Sequence, residues 1–475
     1  MKKLKLFLEN FIVYGLGSVI SRFIPFIMLP VVTRLMPDTS FYGISDMVTT
    51  IVSLFSYLAI CGMYDAMYRM FFEKEEEKFK KQICSTTLFF TLCGSIIVFV
   101  IMLLLKSLLA EYILGDRAYC HLVLIAAVSV LVGATNSIIS APTRMQNKKG
   151  IYIAINTITP IISYAISIPL LLKGYYLIAL PIAGLLSATA SEGIYWILNR
   201  EWFQWKYFQK ELLKPLLAIA IPLLPNFLVY WIFNSCDRVM IINLLDATAA
   251  GIYSVGVKIG SISQLIYMAF AGGWQFFAFS TMKEENQVQS NSNIFEYLGV
   301  LSFGFAMVMC SFSYPVYRLL FEGDYVYGYT VAPFLFIAPL LQMLFQILCN
   351  QFLVIRKTWP NLFILSLGAV INIALNQLLI PRLGIEGAAI ATMCGYTAAL
   401  IMCIIVLYRY SLVKLKFRFF IVTVCMLVYL VLWRCFYREK VLAAMGMMMM
   451  AWMIYVKLYQ SEIKYICQIL KEKRK

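Results

Sequence analysis

Charged residues and histidine are scarce in this sequence. Only 13% of the 475 residues are charged, and there is one histidine, His121; in ordinary soluble domains about a quarter of residues are charged. His121 is not part of an HExxH pattern, which excludes that metal site, and a single histidine with no neighbouring carboxylate disfavours a Ser/His/Asp triad. Because 62% of the residues are hydrophobic, the composition predicts a membrane protein. Since these catalytic motifs are missing, we predict that it is not an enzyme.

Patterns for disulfides and nucleotides are also missing. The twelve cysteines are scattered through apolar segments with no CxxC pair, so their spacing predicts neither a disulfide framework nor a zinc site. The sequence has no Gly-rich phosphate loop, and no predicted cytoplasmic stretch is long enough to fold as a nucleotide-binding domain. We therefore predict no metal, no cofactor and no direct use of ATP.

What the sequence does contain is a series of long apolar segments. A helix that crosses the hydrocarbon core needs about 20 mostly apolar residues. We predict about 14 transmembrane helices, at residues 11–33, 42–68, 82–105, 120–141, 151–172, 177–197, 215–237, 251–281, 295–317, 330–353, 360–380, 384–407, 419–435 and 441–460. The predicted fold class is an all-α polytopic membrane protein.

The positions of the basic residues predict the orientation of the chain. The net charge is +16, and 28 of the 40 Lys and Arg residues fall on the side shared with the N-terminus, against 10 on the opposite side. Because basic loops stay in the cytoplasm, we expect both termini to be cytoplasmic. Topology and contact with the lipid surface account for the charge, and we predict no nucleic-acid partner.

Two parts of the chain repeat one pattern. Gly43 and Gly251 each begin a helix after a short outer loop, and Gly174 corresponds to Gly384. Each part holds an even number of spans, so we expect an internal parallel repeat with a cavity between two six-helix bundles. The predicted divisions are an N-terminal six-helix bundle at residues 1–199, a cytoplasmic linker at 200–214, a C-terminal six-helix bundle at 215–408, and two C-terminal helices with a basic cytoplasmic tail at 409–475.

One charge lies deep in the first predicted helix. Arg22 is 11 residues beyond Phe11, about 17 Å along a helix and therefore near mid-bilayer. An isolated charge costs about 2.5–3.5 kcal/mol there, so Arg22 should face a partner or a water-filled cavity. Prolines expected to kink the first helix of each half are Pro25, Pro30, Pro222 and Pro225.

Three strings resemble those of a known family: SRFIPFIMLPVVTRLMPDTSFYG, DRVMIINLLDATAAGIYSVGVKIG and GIEGAAIAT. Over helices one to twelve the chain is similar to the Wzx-type polysaccharide (O-unit) flippases of the multidrug/oligosaccharidyl-lipid/polysaccharide exporter superfamily. The resemblance implies two six-helix bundles plus two helices, a cationic central cavity and alternating access. The implied substrate is an oligosaccharide linked to undecaprenyl diphosphate, moved from the inner to the outer leaflet of the bacterial plasma membrane. The implied protein partners are a polysaccharide polymerase and glycosyltransferases.

The implied cavity gives four cations a candidate role. A pyrophosphate headgroup must cross about 30 Å of hydrocarbon, so arginine and lysine should line its route. Arg22 is the first candidate, and a structural role inside the bundle is its alternative. Lys258 could line the cavity or snorkel to the outer interface, and Arg34 could line it or anchor the end of helix one. Arg238 is the fourth candidate.

Two carboxylates are candidates for ion coupling. Asp237 and Arg238 both lie inside the membrane if helix seven extends past them, and adjacent side chains diverge by about 100°. We expect one to face the cavity and the other to find a neighbour. Glu192, near the end of helix six, could be linked to a proton or simply hydrogen-bond another helix. Asp65 and Arg69 are spaced for a surface salt bridge.

Three other functions fit parts of the pattern. A lipid-linked peptidoglycan-precursor flippase hardly differs in sequence from an O-unit carrier. A multidrug antiporter of the same superfamily is expected to have a carboxylate, not Arg22, deep in the first bundle, and usually stops near twelve helices. A membrane polymerase or ligase acting on lipid-linked sugars needs a sizeable folded outer loop, whereas the predicted outer loops reach only about 14 residues.

Overall fold

A computed structural model describes residues 23–268, 286–355 and 359–464, and within these ranges the chain is helical with no strand. The helices are α1 (Phe23–Leu35), α2 (Thr39–Ile60), α3 (Met63–Phe71), α4 (Glu77–Leu104), α5 (Lys106–Leu114), α6 (Cys120–Met145), α7 (Lys149–Leu172), α8 (Tyr176–Asn199), α9 (Leu213–Ala220), α10 (Leu224–Trp231), α11 (Asp237–Leu244), α12 (Ala247–Gly260), α13 (Gln287–Leu320), α14 (Ala332–Cys349), α15 (Gln351–Val354), α16 (Trp359–Leu383), α17 (Ile385–Arg409), α18 (Phe417–Leu432) and α19 (Val441–Leu458). The predicted all-α fold is confirmed.

Twelve helical segments of the described ranges are long and apolar enough to cross a membrane, and the shorter apolar α1 precedes them. Each of the twelve lies at a predicted position. The other two predicted segments, 11–33 and 251–281, run into residues outside the described ranges. The chain is therefore a multi-pass membrane protein, as the composition predicts.

The predicted helix at 42–68 is in fact two helices. Cys61 and Gly62, both in the left-handed backbone region, separate α2 from α3. Glycine adopts this conformation without steric penalty, and a Cβ at Gly62 would lie 2.5 Å from the carbonyl oxygen of Ala220. The break therefore brings the start of α3 against the end of α9.

The seventh predicted helix changes pitch twice before it ends. Pro222 lies in a 3₁₀ turn, Ile221–Leu223, between α9 and α10, and a π turn, Ile232–Cys236, joins α10 to α11. Proline cannot donate the backbone hydrogen bond of a regular helix, which explains the tight turn. The expected extension of this helix past Asp237 and Arg238 is found, since both belong to α11.

The described residues form two compact units. Unit 1 holds those within Met1–Val255 and Ile373–Ala388, and unit 2 those within Gly256–Asn372 and Ala389–Lys475. In unit 1, α6 packs against α2, α4 and α8; in unit 2, α13 packs against α14, α18 and α19. The division into two six-helix bundles related by a parallel repeat stays a prediction.

Candidate functional site

In unit 1 the N-terminal ends of α2 and α12 pack backbone against backbone. Gly43 and Gly251 each occupy the fifth position of their helix. A Cβ on Gly43 would lie 2.4 Å from the carbonyl oxygen of Ala247, and one on Gly251 would lie 1.9 Å from that of Thr39. No side chain fits at either position, so the two glycines matched in the predicted repeat face each other.

One turn further along α2, a buried ion pair joins this helix to α11. Nη1 of Arg238 lies 3.0 Å from Oδ2 of Asp46, and the two side chains are 12% and 5% exposed. The buried hydroxyl of Ser254 donates to the same carboxylate oxygen at 2.9 Å. Burial makes each charge dependent on its partner, because an unpaired ion is costly in such a setting. We call Gly43, Asp46, Arg238, Gly251 and Ser254 the sealed end of unit 1.

Asp237 has a different main partner from its neighbour Arg238, although its Oδ1 also accepts from the backbone N–H of Arg238 at 2.9 Å. The Asp237 side chain is buried and accepts a hydrogen bond from the hydroxyl of Tyr253, which is fully buried in α12. The π turn directly before Asp237 places both residues, and such turns are frequent at functional sites. The neighbour found by Arg238 is Asp46. The sequence analysis did not consider this carboxylate, although it lies inside a predicted span.

An open cavity of about 310 Å³ lies at the other end of α2, also in unit 1. Its polar lining includes Asp65 from α3 and Ser137, Ser140 and Arg144 from α6. The side chains of Asp65 and Arg144 are exposed. In the described part of the chain no ion pair joins Asp65 to Arg69, so the expected surface salt bridge is not formed. We call this volume the Arg144 cavity.

Aromatic rings position the cation of the Arg144 cavity. Nη1 of Arg144 donates to the hydroxyl of Tyr64 at 3.1 Å, and its guanidinium carbon lies 5.7 Å from the ring centroid of Tyr152. Tyr57 and Phe227 stack with centroids 5.7 Å apart and planes 7° apart, and both line the cavity. The guanidinium has five N–H donors and uses one on Tyr64, so others remain for a ligand.

Glu192 lines a separate cavity of about 260 Å³ in unit 1. One of its carboxylate oxygens accepts a hydrogen bond of 2.6 Å from the hydroxyl of Thr135 in α6. Aromatic rings from the predicted linker, among them Phe203, Trp205 and Phe208, line the same volume. The interhelical hydrogen bond expected as one alternative for Glu192 is therefore present. Its role in ion coupling stays a prediction.

The other predicted site residues are dispersed. Arg22 lies outside the described residues. Arg34 is exposed near the end of α1 in unit 1, and Lys258 is exposed in the part of α12 that belongs to unit 2. Of the six predicted residues, the structure brings Asp237 and Arg238 into one network. The roles of all six stay predictions.

Unit 2 has its own buried charge network. Nε of Arg418 lies 2.5 Å from Oε1 of Glu296, which is 1% exposed, and Nη1 of Arg418 binds Glu462. The hydroxyl of Tyr459 donates to Glu296 at 2.8 Å. Partial desolvation acts to raise the pKa of Glu462, but hydrogen bonds from Ser461 and Arg418 prevail and lower it. These contacts tie the region after residue 409 to α13.

Solved structures that share this fold are membrane transporters. The lipid II flippase MurJ in an inward closed conformation has a TM-score of 0.69 at 14% identity, over 95% of this chain and 100% of that one. The MATE multidrug transporter DinF-BH, solved as a complex, gives 0.62 at 15% identity, over 87% and 97%. A transporter of the MOP superfamily from Pyrococcus furiosus, described as having a binding pocket of reversed polarity, gives 0.60 at 14% identity, over 84% and 94%.

The sequence itself is more specific than the fold. No curated protein matches the chain by sequence. A family model described as "Polysaccharide biosynthesis protein" matches residues 7–283, more than half of the chain. The chain belongs to that family. The predicted resemblance to the multidrug/oligosaccharidyl-lipid/polysaccharide exporter (MOP) superfamily is confirmed at the level of the fold.

Proposed function

We propose that this protein is a flippase that moves oligosaccharide repeat units linked to undecaprenyl diphosphate from the cytoplasmic to the outer leaflet of the bacterial plasma membrane. The observation that carries the proposal is the match to the polysaccharide biosynthesis family over residues 7–283. In this role the protein makes and breaks no covalent bond, and both of its termini lie in the cytoplasm. Glycosyltransferases would act before it, and a polysaccharide polymerase would act after it.

The geometry of unit 1 supports alternating access as the mechanism. The sealed end lies on the predicted outer side, and the Arg144 cavity lies on the predicted cytoplasmic side. A carrier in this state would be closed outward and accessible inward. Passage to the opposite state would require Asp46 and Arg238 to separate. Their ion pair therefore lowers the free energy of the closed state relative to the open one.

The proposed substrate carries a negatively charged pyrophosphate, so the site residues that we propose for it are cations. Arg22, Arg34, Lys258 and Arg238 are proposed to neutralise this group along its route, because arginine matches phosphate geometry and lysine supplies a point charge. Asp237 and Glu192 are proposed to couple transport to an ion. The buried position of Asp237 supports its part, since an intramembrane carboxylate is a common marker of ion pathways.

A peptidoglycan-precursor flippase is the second candidate. The observation that favours it is the TM-score of 0.69 to a lipid II flippase over 95% of this chain. A multidrug antiporter is the third, because MATE transporters share the fold at TM-scores up to 0.62. Neither has the support of a family match by sequence, which is why they rank below the O-unit carrier.

The test is deletion of the gene in its own host, followed by extraction of lipid-linked intermediates from the inner leaflet. We expect accumulation of an undecaprenyl-diphosphate oligosaccharide and loss of surface polysaccharide. Both defects should be reversed when the intact gene is supplied. An Arg22→Ala variant that inserts normally should fail to complement, and Arg22→Lys should complement in part. Accumulation of the peptidoglycan precursor, or an altered drug tolerance with normal polysaccharide, would replace this function by the second or third candidate.

A further inference from the structure

We infer that the Arg144 cavity is a carbohydrate-binding site that holds a pyranose ring of the transported glycan. The inference rests on the proposed function and names the part of the substrate that this cavity recognises. It assigns Asp65, Ser137, Ser140 and Arg144 to the hydroxyl groups of the ring, and Tyr57 to its apolar face.

The polar groups of the cavity match a polyhydroxylated ligand. Asp65 only accepts hydrogen bonds when ionised, Arg144 only donates them, and the hydroxyls of Ser137 and Ser140 do both. A sugar hydroxyl is itself a donor and an acceptor, so adjacent hydroxyls on one ring can satisfy Asp65 and Arg144 together. The hydroxyl of Ser137 donates to the carbonyl of Gly133 and that of Ser140 to the carbonyl of Ser137, so each serine oxygen is left as an acceptor for a sugar hydroxyl.

The opposite charges of Asp65 and Arg144 argue against a plain ion site. An inorganic anion would gain from Arg144 and be repelled by Asp65, and a cation would meet the reverse. The two side chains line one cavity without being joined by an ion pair in the described ranges, so both keep hydrogen-bonding capacity. Such a mixed wall favours a neutral ligand, or one with several hydroxyls beside a single charge.

The cavity also has the rigidity that recognition needs. Arg144 is held between the hydroxyl of Tyr64 and the ring of Tyr152, so little side-chain entropy is lost when it binds. Tyr57 is braced by its stacking on Phe227 and exposes 42% of its surface. An aromatic face of this kind suits the C–H groups of a pyranose, and the partly apolar lining fits the usual make-up of small-molecule sites.

Size limits what the cavity accepts. Its volume of about 310 Å³ is at the lower end of the range for ligand pockets. It therefore has room for one or two sugar rings and not for a whole repeat unit with its lipid. We place a terminal part of the glycan here, while the pyrophosphate lies on the proposed cationic route.

The experiment is saturation-transfer-difference NMR on the full-length protein in detergent micelles. The probes are methyl glycosides of glucose, galactose, N-acetylglucosamine and glucuronic acid, with inorganic pyrophosphate as competitor. We expect at least one glycoside to receive saturation, and its signal to fall at least threefold in Asp65→Asn and in Arg144→Ala. Glu111→Gln is the matched control, since Glu111 is a unit 1 carboxylate that pairs with Arg117 outside the cavity. With this variant the glycoside should give the same signal as with the wild type.

Three results would overturn the site. They are the absence of saturation transfer with every glycoside, equal signals in wild type, Asp65→Asn and Arg144→Ala, and Arg144-dependent binding of pyrophosphate alone. Circular dichroism and size-exclusion profiles identify variants that fail to fold, and Ser140→Ala then serves as the milder substitution. If the deletion strain accumulates lipid-linked oligosaccharide but no glycoside binds, the proposed function stands and the site is wrong. Glycoside binding without any polysaccharide defect would support the site and reject the function.

Discussion

The two ends of α2 use polar residues in opposite ways. At its start, Asp46 is buried and its carboxylate is held by Arg238 and Ser254. At its end, about 17 Å away on the helical rise, Tyr57 borders a cavity whose charged groups are exposed. Polar groups at the sealed end are occupied by the protein itself, whereas those of the Arg144 cavity keep donors and acceptors for another molecule.

This contrast separates stability from ligand recognition within one helix. Changes at the sealed end should lower the stability of the folded, closed protein, and they should also alter transport because Arg238 belongs to the proposed cationic route. Changes in the Arg144 cavity should alter transport without altering stability. Four sets of substitutions test the contrast, from the largest expected effect on stability to the smallest.

Gly251→Ala should have the largest effect. The added methyl would lie 1.9 Å from a backbone oxygen, which no side-chain rotation can relieve, so α2 and α12 must move apart. We expect loss of thermal stability and of transport, measured by size-exclusion after heating and by surface polysaccharide. Gly193→Ala in α8 is the control, because nothing lies within 4 Å of the new Cβ. Equal stability of the two variants would refute the tight contact.

Asp46→Ala and Arg238→Ala should come next. Each leaves a buried charge without its partner, which typically costs about 3–5 kcal/mol. The double variant should be clearly more stable than the sum of the two losses predicts, because it leaves no orphaned ion. A thermal-stability series of the four proteins measures this coupling. If the two losses of stability simply add, the coupling free energy between Asp46 and Arg238 is zero.

Tyr253→Phe should have an intermediate effect. The change removes one hydroxyl and leaves the buried carboxylate of Asp237 without that donor, a loss of about 1–3 kcal/mol. Packing is kept, so the expected result is a lower melting temperature with normal membrane insertion. Tyr112→Phe, at an exposed position of α5, is the reference substitution. If the two variants have the same melting temperature, Asp237 does not depend on the Tyr253 hydroxyl.

Arg144→Ala should have the smallest effect on stability. The side chain is exposed, and substitutions at such positions usually change stability by no more than about 0.5 kcal/mol. Surface polysaccharide should nevertheless fall by at least half at equal protein abundance. A variant that melts early while transporting normally per molecule would make Arg144 a structural residue and erase the contrast between the two ends.

The sequence predicts the helices far better than the contacts between them. Apolar length reveals the spans, and the two glycines matched in the repeat, Gly174 and Gly384, both adopt positive φ after their helices. Matching the repeats also draws attention to Gly43 and Gly251. That these two glycines touch could not be predicted, because the period of a helix shows which residues share a face and not which neighbour that face meets.

The candidate site was only partly predictable for the same reason. Asp46 carries a weaker signal than Arg22: it is a carboxylate inside segment 42–68, but it lies only four residues past the start of that segment, about 6 Å along the helix. That Asp65 and Arg144 line one cavity could not be predicted, because it depends on the break at Gly62, where the apolar pattern predicts an unbroken helix. The π turn before Asp237 likewise leaves no recognisable signal in the sequence.

The network around Glu296 has a consequence for the order of synthesis. Glu296 is buried in α13, and its partner Arg418 follows 122 residues later in the chain. At the usual rate of translation, the carboxylate is made roughly 6 to 24 s before the arginine that pairs with it. During that interval α13 carries a carboxylate whose final cation does not yet exist. Completion of unit 2 must therefore await the C-terminal helices, and a ribosome that stalls before residue 418 would leave an unfinished protein in the membrane.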